Sequence, residues 1–322
     1  LILTAALLTG AAFPAFADTY YIENGDITIS AGKDGNDVTQ NEKTTYGDKD
    51  TVITNQKTDT ASSNTVTIET KDKDDKVEVT LKDVNIEATI DKAAMSVTGS
   101  GNTTIKLDGD NHLTGGNGSS GISSSGSLTI TGGETDSLTA KGGSGEDGGD
   151  GIFSKDLTIS GGTVTATGGD STGSDGSGSY GIFSTNTTTI SGGTVTATGG
   201  DSTGSYSSGG YGIYSSGVTI SGGTVTANGG SGKDGSGDGI FSFDPVAISG
   251  GTVTAKGGSG EDGSGGRGII STKSVTISGG TVEANGGNGN SGGDGITSNG
   301  GVTISGGSTV TANGGNGGSL VG

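Results

Sequence analysis

The chain has 322 residues, of which 72 are Gly, 2 are Pro and none is Cys, and hydrophobic types supply only 27%. That composition excludes a conventional globular core, collagen (there is no three-residue Gly period and too little Pro) and any disulfide or thiolate-metal chemistry. Acidic residues number 35 against 16 basic ones, a net charge of −19, which argues against nucleic acid or an anionic membrane as partner and suits an extracellular setting rich in cations.

From the N-terminus, Leu1 to Ala12 is apolar and uncharged, followed by Pro14 and the small-x-small run Ala15, Phe16, Ala17 ahead of Asp18. Residues 1–17 read as a secretory signal peptide whose basic start is missing, shorter than the roughly 20 apolar residues of a membrane span. No later stretch is apolar enough to insert, so the mature chain is expected to be secreted and extracellular, either free or associated with a cell surface. Residues 18–76 are highly charged, with strand signals at Ile27 to Ile29 and Val66 to Ile68. They are expected to form an N-terminal cap with irregular strands, because an open stack of strands is an aggregation-prone edge. Residues 77–120 contain two alternating segments, Val77 to Ile90 and Asn102 to Gly116, which read as degenerate coils of the repeat that follows.

Residues 121–322 repeat. A Gly-Ile pair recurs at Gly121, Gly151, Gly181, Gly212, Gly239, Gly268 and Gly295, at intervals of 27 to 31 residues. A period of that length with small insertions is that of a solenoid. In the copy Gly151 to Gly169, three short segments alternate apolar with polar: Ile152 to Ser154, Leu157 to Ser160 and Thr163 to Thr167. Leu157, Ile159, Val164 and Ala166 then face inward, and Gly161-Gly162 makes a corner that a side chain would obstruct. Three strands per coil with tight corners describe an all-β parallel β-helix, or β-solenoid, of about nine or ten coils. The segments of 10 to 14 residues between each coil's last alanine and the next Gly-Ile are almost entirely Gly, Ser, Asp and Asn, and read as surface loops fanning out along one edge.

The strings GNTTIKLDGDNHLTGG, SLTITGG and GI(F/Y)S…TISGGTVTATGG, spread over about Val77 to Asn313, resemble bacterial secreted and cell-surface β-helix proteins of the carbohydrate-binding-domain and adhesin-like repeat type. The resemblance implies a right-handed helix, in keeping with the crossover preference, and a non-catalytic protein. In some such proteins it also implies binding of plant-type or acidic polysaccharides with Ca²⁺ on the coils.

Two constellations are candidates for binding. The loop sequences GGSGED, GGSGKD and GGSGED, ending at Asp147, Asp234 and Asp262, match half of a Ca²⁺-binding nonapeptide, and Asp150, Asp238 and Asp294, each just before a Gly-Ile, offer further oxygens. The competing reading is that these are solvated loops that keep the rod soluble. Phe153, Phe183, Tyr214 and Phe241 follow the repeating Ile in four successive coils and should point outward, as a platform for sugar rings or as a hydrophobic stack beneath the loops. Outward threonine pairs, such as Thr163/Thr165 and Thr194/Thr196, resemble the arrays of ice-binding solenoids, but Glu283 interrupts them and threonine is an ordinary exposed strand residue.

For catalysis, His112 is the single histidine and Arg267 the single arginine, and the strands carry no paired carboxylates. The chain is therefore expected not to be an enzyme. Its expected partner is a polysaccharide or surface glycan bound by avidity, with Ca²⁺ as the one possible cofactor. The alternatives are a structural rod without ligand, an ice-binding protein and, least supported, a polysaccharide-degrading enzyme. The oligomeric state is left open.

Overall fold

A computed structural model describes residues 18–318, so the signal-peptide reading of residues 1–17 lies outside the described residues. Among the described residues the chain winds as an all-β parallel β-helix, one wall of which stacks nine strands, one per turn, from Asn85–Glu87 to Thr309–Asn313. In the copy that defined the repeat, the strands are Ile152–Ser154, Asp156–Ile159 and Thr163–Thr167, as the alternation predicts. The first two walls belong to one 21-stranded sheet, because in two coils they run on without a break, as Ile182–Ile190 and Ile213–Ile220.

Like stacks on like. Ile130, Ile159, Ile190, Ile220, Ile248 and Ile277 pair in strict register. So do Val164, Val195, Val225, Val253 and Val282. All of these side chains are buried. The third wall contributes a narrower column, Ala140, Ala166, Ala197, Ala227, Ala255 and Ala284, so a slim bore is filled by few apolar residues per coil. That is how a chain with so little apolar content closes a continuous core.

The corner between the second and third walls falls where the Gly pairs predict it. The second glycine of each pair takes a left-handed φ: +79° at Gly162 and Gly193, +80° at Gly223, +82° at Gly251 and +78° at Gly280. Only glycine adopts that conformation without strain.

The Gly-rich segments do not fan out. Each turns back on itself, and its two glycine necks lie against each other and against the coils on either side. One chain of backbone hydrogen bonds, 2.7 to 3.3 Å long, zigzags along the rod. It passes from Gly143 through Gly149, Gly169, Ser179, Gly200, Gly210, Gly230, Gly237, Gly258, Gly266, Gly287 and Gly293 to Gly315. A Cβ built on Gly200, Gly230, Gly258 or Gly287 would land on the carbonyl oxygen of the equivalent glycine one coil earlier. Glycine is there because two backbones meet with no room for a side chain. Further out, the loop tips also stack in parallel, at Ser208, Gly235, Ser264 and Ser291 among others. These segments form a further, hydrogen-bonded layer of the solenoid.

Parallel coils extend into residues 18–76. Thr19–Tyr21, Val52–Thr54 and Lys76–Lys82 form one track, and Ile27–Ala31, Val66–Thr70 and Met95–Gly99 another. The charges that hide them in the sequence sit at outward positions. An antiparallel excursion, Asn36–Gln40 followed by Lys43–Asp48, pairs onto Ile27–Ala31 and covers that edge of the first coil. At the other end, the last described coil is open, with Val302 43% and Ile304 53% exposed. Among the described residues no helix is long and apolar enough to cross a membrane.

Candidate functional site

The Gly-Ile corner aligns two outward columns of side chains. Ile152, Ile182, Ile213, Ile240 and Ile269 pair in register and point into the core, so the residue after each points out. That outer column is Ser123, Phe153, Phe183, Tyr214, Phe241, Ile270 and Thr297. Each Gly N–H donates to the residue preceding the next coil's glycine, which brings Asp150, Tyr180, Tyr211, Asp238, Arg267 and Asp294 into a second column.

The four aromatic residues predicted as a platform therefore come together, joined by Tyr180, Tyr211 and Phe243. Phe153–Phe183, Phe183–Tyr214 and Tyr214–Phe241 have ring centroids 5.1 Å apart. Tyr180, Tyr211, Tyr214 and Phe241 lie nearly parallel, with interplanar angles of 2° to 13°, and Phe183 and Phe243 meet them edge-on. Parallel rings this close cannot be coplanar, so their faces overlap one another in offset stacks. The strip consequently shows solvent ring edges and partial faces rather than a pavement of full faces. The hydroxyls of Tyr180, Tyr211 and Tyr214 make no hydrogen bond among the described residues and, though partly shielded by the neighbouring rings, keep some solvent contact, so they remain available as donors and acceptors. Burial holds the Tyr180 hydroxyl's pKa up at about 12, with the neighbouring Tyr211 and Tyr214 adding to the effect, so it stays protonated.

Acidic groups border both ends of the stack. Asp150 Oδ1 accepts the Tyr180 N–H at 2.9 Å, and burial pushes its carboxyl up to about 6. Asp238 is 4% exposed, and its Oδ1 accepts the Arg267 N–H at 2.6 Å, with the guanidinium Nη1 4.0 Å away. Burial raises the pKa of Asp238, and Arg267 partly opposes the shift. Beyond Tyr211, a groove of about 330 Å³ opens between Asp238, Arg267 and Asp294, walled by loop serines including Ser236 and Ser264.

The raised Asp150 pKa carries a testable stability cost. Its ordinary value is 3.8, against about 6 in the fold. Below about pH 4 both states are protonated and nothing is lost; between about 4 and 6 the unfolded chain ionises first and stability falls; above about 6 the loss is constant, of the order of 2 kcal/mol after allowance for residual solvent contact. Asp150→Asn keeps an acceptor for Tyr180 and removes the charge. It is expected to raise the melting temperature by a few degrees at pH 8 and to leave it unchanged at pH 4. Equal effects at both pH values in a thermal melt would contradict this account.

The six candidate Ca²⁺ ligands are not gathered. Asp150, Asp238 and Asp294 share a column but stand three and then two coils apart, about 14 and 10 Å at strand spacing, too far to share one ion. Asp147, Asp234 and Asp262 are exposed on the loop layer, and among the described residues no three His, Cys, Asp or Glu side chains cluster to hold a metal. His112 lies exposed within the strand Asp110–Asn117, with Nε2 3.2 Å from Asp110 Oδ2. On the third wall, Thr163, Thr194, Thr224, Thr252, Thr281 and Thr309 form an unbroken column, while Glu283 interrupts the neighbouring one between Thr254 and Thr311.

Sequence reasoning missed Tyr180 and Tyr211, although both occupy the position just before a Gly-Ile pair, where Asp150, Asp238 and Asp294 were already noted. Phe243 was missed because it stands outside the repeat register, in the bend after Ser242.

A beta helix repeat family model matches residues 157–182, 189–213, 218–240, 246–269 and 275–294, each close to one coil. No curated protein matches the sequence. Among solved structures, the chain is similar to a polysaccharide lyase-like protein from C. thermocellum, a gadolinium derivative, at 17% identity and a TM-score of 0.40, covering 89% of this chain and 97% of that one.

Proposed function

We propose that this parallel β-helix binds polysaccharide outside the cell, without transforming it, along the aromatic strip on its Gly-Ile edge. The observation that carries the reading is the concentration of seven rings, in a chain of 7 Tyr and 6 Phe, on one outer edge beside a polar groove. Sugar C–H groups pack on ring edges and partial faces, and the free tyrosine hydroxyls and groove carboxylates exchange hydrogen bonds with sugar hydroxyls. Each coil contributes little; the stacked coils add up to useful retention.

The test is retention on a glycan array for the wild type and for Phe183→Ala/Tyr214→Ala, with Ca²⁺ and with chelator. Loss of two central rings should weaken retention about tenfold or more while circular dichroism stays that of a β-helix. Retention is expected to survive the chelator. Chelator-sensitive retention, unchanged in the double variant, would move the site to the loop aspartates; no retention of any glycan by the wild type would leave a structural rod.

A further inference from the structure

We infer that the glycan held by this strip is an extended, uncharged chain of equatorially linked pyranoses lying lengthwise along the rod, one sugar per coil. The inference rests on the polysaccharide-binding reading and adds the class and direction of the ligand.

The first argument is repeat distance. Successive outer rings follow one another at 5.1 Å from Phe153 to Phe241. A pyranose chain joined through two equatorial bonds is straight and advances by very nearly one strand spacing per sugar. Successive sugars alternate the face they present, and each still lays one pyranose ring against the next coil. An axially linked glucan coils and leaves a straight edge after a few sugars. A ligand lying across the rod would meet only one or two rings and leave the rest of the strip unused.

Charge gives the second argument. The column holds Asp150, Asp238 and Asp294 against Arg267 alone, and Arg267 already faces Asp238. On a chain of net charge −19, an anionic glycan would meet like charges along its length. Uncharged sugars instead supply hydroxyl donors. Asp238 uses Oδ1 on Arg267, and its Oδ2 has no protein partner among the described residues while the carboxylate lines the groove. That oxygen keeps some contact with the groove, where a sugar hydroxyl can donate to it in place of water.

The rings occupy four coils, from Phe153 to Phe241, and the groove continues the same edge over two more, to Asp294/Thr297, so the ligand should be read as about six sugars. The experiment is calorimetric titration of the full chain with β-1,4-linked gluco-, manno- and xylo-oligosaccharides of increasing length, alongside α-1,4-gluco-oligosaccharides and oligogalacturonates. In at least one β-linked series, affinity should climb with each added sugar to about six and then level. The α-linked and anionic series should bind at least tenfold more weakly. Asp294→Ala, at an exposed end of the groove, should bring the plateau forward by one or two sugars. Anionic or α-linked oligomers binding as tightly, or a plateau at one or two sugars, would overturn the lengthwise, uncharged ligand while leaving polysaccharide binding intact. Failure of every oligomer and of the parent polysaccharides would defeat both readings.

Discussion

Gly230→Ala is expected to cost about 3 kcal/mol or more, a large loss for a substitution that adds one methyl group. Gly230 donates to Gly210 O at 2.7 Å and accepts from Gly237 N at 2.9 Å, in the middle of the zigzag. The added Cβ would land on the carbonyl of Gly200, with the Gly199 carbonyl oxygen 2.9 Å away, and neither obstacle is a side chain that can swing aside. Relief means spreading two coils, which stretches the hydrogen bonds above and below and opens the adjacent core ladder. The control is Gly217→Ala. Gly217 sits in the strand Ile213–Ile220 with ordinary backbone φ, and its Cβ would meet only Thr187 Cγ2 at 3.6 Å and Asp244 Cβ at 3.9 Å. That change should be neutral or stabilising by about 0.5 kcal/mol, since alanine has less freedom to lose. Denaturant melts of the two variants test the contrast. Equal, small effects would mean that the glycine layer is loose in solution.

This contrast also marks what could be read from the sequence. Side chains announce a face by alternation, and Leu157, Ile159, Val164 and Ala166 did so clearly enough to place three strands and the Gly162 corner. A glycine column announces nothing of the kind, because its role is the side chain it lacks. The segments therefore read as loops, although a Gly-Gly doublet recurs just after the third strand in nearly every coil, as at Gly168-Gly169 and Gly199-Gly200. The aromatic edge was half legible for a related reason. Phe153, Phe183, Tyr214 and Phe241 follow an obvious inward Ile, whereas Tyr180 and Tyr211 lie at the end of segments whose length varies, where only hydrogen bonds across coils show the alignment. The aspartates failed to assemble because columns in a solenoid separate by coil. Residues at the same position in distant repeats are aligned without being near.

Ile220→Ala is expected to destabilise the protein by about 3 to 4 kcal/mol, and Ile304→Ala by less than about 1 kcal/mol, though both remove the same atoms from the same column. Ile220 is wholly buried between Ile190 and Ile248. Truncating it leaves a void bounded by coils that cannot close together, because the backbone ladders on every wall fix their spacing. Ile304 pairs with Ile277 on one side only and is 53% exposed, so little area returns to water when it is cut back. The difference follows from how a solenoid is stabilised: a coil buries its face only against its neighbours, so an inner residue supports two interfaces and a terminal one supports a single interface. A damaged middle coil also uncouples the coils on either side, so the Ile220→Ala melt should broaden or split where that of Ile304→Ala stays cooperative. Hydrogen exchange would locate the break. Faster exchange should appear in Ile213–Ile220 and in the strands paired with it, and it should fall away with each coil toward the N-terminal strands. Equal destabilisation by the two substitutions would show that the last coil is as well packed in solution as the middle of the rod, and that burial along the stack does not set its stability.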